Sequence, residues 1–80
     1  MKLRVEVSLY PLKDNFIPSI DDFISRLNRY EGITVWTNDL STHIIGDYDK
    51  VMEVFTKEMK TSFEEKVKMV FITKFHSPGS

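Results

Sequence analysis

The chain has 80 residues, no cysteine, 41% apolar and 29% charged residues, and a formal charge of −1 from eleven Lys plus Arg against twelve Asp plus Glu. That composition leaves room for one small globular domain, residues 1–75, followed by a flexible tail, residues 76–80. With both signs interleaved, no apolar run near the roughly 18 residues of a membrane span and no secretory leader pattern, it argues against a nucleic-acid or membrane partner and for a cytoplasmic protein.

From Leu3 to Tyr10 apolar and polar residues alternate, which predicts a half-buried strand with Leu3, Val5, Val7 and Leu9 on one face and Arg4, Glu6, Ser8 and Tyr10 on the other. Pro11 is expected to end it. After a loop through Asp14, Asn15 and Pro18, Ser19 reads as an N-cap, and Ile20, Phe23, Ile24 and Leu27 recur at helical spacing. That helix should end near Tyr30, with Gly32 in the left-handed conformation. Ile33 to Thr37 and Thr42 to Ile45 read as two antiparallel strands joined by a tight turn. Gly46 and Asp47 punctuate the second. Asp47 or Asp49 is expected to cap a second helix with Val51, Met52, Phe55, Met59 and Phe63 on its buried side. Lys66 to Phe75 reads as the last strand, with Val67, Met69, Phe71 and Phe75 on one face and Val70 and Ile72 on the other.

Strand, helix, strand, strand, helix, strand is the order of a ferredoxin-like βαββαβ sandwich, an α+β fold with a four-stranded antiparallel sheet and two helices on one face. The other face is then bare. Because the last strand is apolar on both sides, and Trp36 and Ile45 can join it, self-association through the sheet faces is expected, as a dimer or a dimer of dimers. A chain this short has few other ways to bury more surface.

His43 and His76 have no carboxylate or cysteine at ligand spacing and read as structural histidines, so no metal is expected. Ser8, Ser41 and Thr42 lack a base at motif-like spacing, and no phosphate-cradling glycine pattern occurs, so no enzyme is expected. Glu6 and Ser8 fall in mid-strand on the bare face. A carboxylate there needs a partner, either a ligand or a salt bridge to Arg4 or Lys74. Thr37 to Thr42, with Asn38, Ser41 and Thr42, is dense in small hydrogen-bonding side chains, which suit the edge of a heteroaromatic ring and equally suit a hairpin turn.

The first strand, VEVSLYPL from Val5 to Leu12, the helix segment FISRL, the run TNDLSTHIIGDYDKVM from Thr37 to Met52 and the closing VFITKF together resemble the YkoF-like thiamine-binding family. The resemblance implies non-enzymatic binding of thiamine, or of its hydroxymethylpyrimidine part, as a ligand rather than a cofactor. It also implies subunits that assemble through their sheets. By position in the matched segments, Ser8, Tyr10, Asn38, Ser41 and Thr42 would line the ligand. Strand parity adds Glu6 as a carboxylate for the exocyclic amine or the thiazolium charge, and Trp36 as a stacking platform. The alternative function is an oligomeric interaction or regulatory domain without a small-molecule ligand.

Overall fold

The computed structural model describes residues 1–77. Its elements are β1 (Lys2–Pro11), α1 (Ile17–Leu27), β2 (Ile33–Thr37), β3 (Thr42–Asp47), α2 (Tyr48–Phe63) and β4 (Met69–His76). All pairings are antiparallel and the sheet order is β2-β3-β1-β4. This is the ferredoxin-like α+β sandwich.

The alternation in β1 decides which face is covered. Leu3, Val5 and Val7 lie buried under the helices with Phe23, Leu27, Ile44, Val51, Val54 and Phe55, and Leu9 packs at the edge of that core. The other face carries Arg4, Glu6, Ser8 and Tyr10 on β1. Pairing places Ile45 opposite Arg4, His43 opposite Glu6 and Trp36 opposite His43, with Lys74, Ile72 and Val70 opposite Glu6, Ser8 and Tyr10. No helix lies over these residues.

Element boundaries moved where a tertiary contact outweighed a local signal. Ser19 does not cap α1; the helix begins at Ile17 with Pro18 in its first turn, where the missing N–H costs nothing. The Ser19 hydroxyl instead donates to Glu65, which Lys13 also grips at 2.7 Å. The helix closes at Leu27 rather than near Tyr30, and Gly32 takes φ +83° in the following loop. Gly46 does not end β3 but lies within it, where a Cβ would meet the carbonyl oxygen of Gly32 at 3.0 Å, so no larger residue fits there. Asp47 stands at the N-cap of α2 without a side-chain cap bond and pairs with Lys2 at 3.2 Å.

At the other end of α2, Lys66 turns the chain with φ 62°, so β4 begins at Met69 and Val67 falls outside it. His76, expected in the tail, is the last residue of β4, opposite Arg4. The rest of the expected tail, residues 78–80, lies outside the described residues. Among the described residues no helix is long and apolar enough to cross a membrane.

Between the helices runs a polar tie. Arg26 donates to Glu58 Oε1 at 2.8 Å, to the Glu58 carbonyl at 3.0 Å and to Ser62 at 2.6 Å, while Tyr30 donates to Glu58 Oε2 at 2.5 Å. The bond to Glu58, followed by burial, holds the Tyr30 hydroxyl above its ordinary pKa.

Candidate functional site

Glu6 stands in the middle of the uncovered face, where β1 is flanked by β3 and β4. Ser41 donates to its Oε2 at 3.2 Å. His43 Nε2 lies 4.0 Å from the same oxygen and His76 Nε2 lies 3.8 Å from Oε1. The Ser41 hydroxyl is the main reason that the carboxyl is held below its ordinary range, against a smaller opposing effect of desolvation; Lys74 and the two histidines add to the lowering. Of the two salt-bridge partners expected for Glu6, Lys74 contributes through its field, while Arg4 turns toward the aromatic pair beside it.

That pair is Trp36 and His43, parallel to within 2° at 5.0 Å between ring centroids. The Arg4 guanidinium lies 5.2 Å from the indole centroid and faces His43 Nδ1 at 3.5 Å. On its other side the ring's Nε2 lies 3.3 Å from the Ser41 hydroxyl and 3.4 Å from the Asn38 amide nitrogen. Trp36 is therefore already stacked on a protein ring.

Beside Glu6 is a depression of 340 Å³ lined by Glu6, Ser8, Tyr10, Leu40, Ser41, Ile72 and Lys74. Four of the seven residues singled out in the sequence meet there: Glu6, Ser8, Tyr10 and Ser41. The other three do not. Trp36 belongs to the neighbouring stack. Asn38 Oδ1 accepts from the Leu40 and Ser41 amides at 2.8 and 2.9 Å, so of its two readings the hairpin turn is the one its oxygen serves. Thr42 is one residue out of phase with Ser41 and His43 and turns to the helix side, where it and Asn38 line a separate cleft behind the hairpin. Ser8 ties the hairpin to β1 by donating to the Leu40 carbonyl at 2.9 Å.

Lys74 was expected only as a salt-bridge partner of Glu6 and His43 only as a structural histidine, neither as part of a ligand-lining group. Spacing along the chain gives no hint, since Glu6 is distant in sequence. Strand parity places both: His43 on β3 is two residues from Ser41, which directly precedes the strand, and Lys74 shares a face with Val70 and Ile72.

A family model described as the YKOF-related family matches residues 2–80. The chain belongs to that family. No curated protein matches its sequence. Among solved structures, a Streptococcus pneumoniae protein superposes with a TM-score of 0.89 at 21% identity, over 99% of this chain and 89% of that one. A hypothetical protein of Methanocaldococcus jannaschii gives 0.81 at 25% identity, over 98% and 81%. A candidate thiamine biosynthesis/salvage protein of Thermotoga maritima gives 0.83 at 15% identity, over 96% and 84%. Within this YkoF-related chain, the uncovered sheet face combines an ionised carboxylate, hydroxyls and apolar side chains, a set able to hold a polar heteroaromatic ring or a second subunit.

Proposed function

We propose that this protein binds thiamine, or the related hydroxymethylpyrimidine, non-enzymatically in the depression beside Glu6. The observation that carries the reading is the Glu6 carboxylate, held ionised by Ser41 at the wall of a depression with no helix above it. An aminopyrimidine offers an exocyclic N–H donor to that carboxylate, and a thiazolium offers a positive charge. Ser8, Tyr10 and Ser41 present hydroxyls that donate or accept, while Leu40 and Ile72 give the ring apolar contact. Membership of the YkoF-related family supports the reading, as does the thiamine-related description of the Thermotoga protein.

The test is thermal unfolding with and without ligand at fixed protein concentration. Thiamine at a hundredfold its Kd adds about 2.7 kcal/mol, which raises the midpoint of a domain this size by roughly 10–20 °C. Glu6→Gln removes a charge-assisted bond of about 1.5–3 kcal/mol, so affinity falls about 10- to 100-fold with the fold intact. Binding should persist below the pH at which an ordinary carboxylate protonates and be lost as the pH falls through the lowered Glu6 pKa. Unchanged affinity in Glu6→Gln overturns this site.

A second reading, an oligomeric interaction domain, draws on the apolar exposure of the same face, where Ile72 is 56% and Trp36 38% accessible. Subunits meeting through these faces would bring a second copy up to the ligand depression. Replacing Ile72 with Lys places a charge in that contact and is expected to lower the mass measured by light scattering to that of one chain. A variant that stays associated removes this face as the contact.

A further inference from the structure

β4 lies at the edge of the sheet, with β1 as its one neighbour among the described residues. A single bond fixes which of its backbone groups are free. Leu12 N donates to the Lys68 carbonyl at 2.9 Å, and these two residues continue the register that sets Pro11 opposite Met69. Directly opposed residues joined in this way form a hydrogen-bonded pair, and such pairs occur at every second position of an antiparallel ladder. Val70, Ile72, Lys74 and His76 therefore turn their amides and carbonyls to β1. Met69, Phe71, Thr73 and Phe75 turn theirs outward. Pro11 agrees with this phase, because it stands opposite Met69, where the ladder asks for no N–H from β1.

Edge strands that stay single are ordinarily short, bulged, or broken by proline and charge. β2, at the opposite edge, has five residues. β4 has eight, MVFITKFH, with one lysine, no proline and an unbroken register to β1. Apolar side chains stand exposed on both of its faces, Val70 and Ile72 on the uncovered side and Phe75 on the helix side. Phe63 of α2 widens that margin, half exposed and with its ring 5.2 Å from Phe71. We propose that β4 pairs antiparallel with β4 of a second copy of this chain across a two-fold axis, joining two four-stranded sheets into one of eight strands. The strand is complementary to itself. With Thr73 opposite its counterpart, outward backbone groups meet outward backbone groups, and side chains of the same face oppose one another. Phe71 then lies across from the partner's Phe75, while Ile72 and Val70 lie across from the partner's Lys74 and the partner's His76. Basic residues thus meet apolar side chains and not each other. Because Ile72 and Lys74 line the depression beside Glu6, the second copy's strand borders that depression and supplies its outer wall.

The experiment is light scattering on the full chain and on Thr73→Pro. The Thr73 N–H points outward, so proline there removes no bond to β1, while it deletes the two bonds at the centre of the β4–β4 ladder. The full chain should scatter as an even number of copies, and Thr73→Pro should halve that mass with its far-UV circular dichroism unchanged. Thr73→Val keeps the N–H and should keep the parent mass. Hydrogen exchange reads the same contact in the unaltered chain: the amides of Phe71, Thr73 and Phe75 should exchange as slowly as those of Ile72 and Lys74, which bond β1. Contact through the sheet faces alone leaves the three outward amides fast. Ile72→Lys disturbs both contacts, because position 72 lies on the uncovered face and also beside the partner's Lys74, so Thr73→Pro is the variant that separates them. A monomeric parent, a Thr73→Pro protein of parent mass, or fast exchange at Phe71, Thr73 and Phe75 would overturn the proposal.

Discussion

Glu58→Ala is expected to remove about 3–5 kcal/mol of stability, because it leaves the Arg26 guanidinium buried without its main counter-charge. Arg26 and Glu58 are 8% and 6% exposed, and the only other carboxylate that Arg26 pairs with among the described residues is the solvent-facing Asp22 at 3.1 Å. The variant also strips Tyr30 of its acceptor. A domain of this length holds about 4–12 kcal/mol in all, so the single variant approaches the limit of folding. Its urea midpoint should fall accordingly, and its thermal midpoint should drop by more than roughly 12 °C. The double replacement Arg26→Met with Glu58→Met removes both charges and is expected to restore most of the loss, since apolar residues of similar volume substitute well for a buried pair. A Glu58→Ala protein within about 1 kcal/mol of the parent would mean that water reaches the guanidinium.

Phe23→Ala is the second large effect, about 3–5 kcal/mol. Phe23 is 1% exposed and meets Phe71 edge to face at 5.3 Å. Phe71 in turn touches Phe55 and Phe63 in the same geometry, at 6.3 and 5.2 Å. Removing the ring opens a cavity beneath α1 that neighbours on two elements cannot close together. The denaturant midpoint should fall with the slope unchanged, as for a loss of packing without loss of cooperativity. The Arg26 guanidinium lies 5.9 Å from the Phe23 ring centroid, so this variant and Glu58→Ala should not be additive. A loss under about 1 kcal/mol would show that the aromatic cluster rearranges to fill the gap.

Much of the architecture was legible because it depends on local periodicity. Alternation over Leu3 to Leu9 placed the β1 core residues correctly, and with them the uncovered face of Glu6, Ser8 and Tyr10. Helical spacing found Phe23, Leu27, Val51 and Phe55. It missed Glu58 and Ser62 because polar residues do not announce burial: they are inside only because Arg26 of the other helix meets them there. Ser19 failed as a cap for a similar reason. Its hydroxyl had a choice between its own helix and Glu65, and the chain-distant carboxylate, shared with Lys13, offered the charged acceptor.

By itself the sequence determined the order of elements and the covered and uncovered sides of β1, which rest on local periodicity, and the family to which the chain belongs, which rests on several segments read together along the chain. Only the tertiary structure decided which side chains share a site. Pairing of β1 with β3 and β4 set His43 and Lys74 across from Glu6. The one-residue phase difference between Ser41 and Thr42 sent neighbouring residues to opposite sides of the hairpin. Side-chain direction in a strand has a period of two, and cross-strand register is fixed by hydrogen bonds between segments far apart in the chain, so no run of residues carries that information alone.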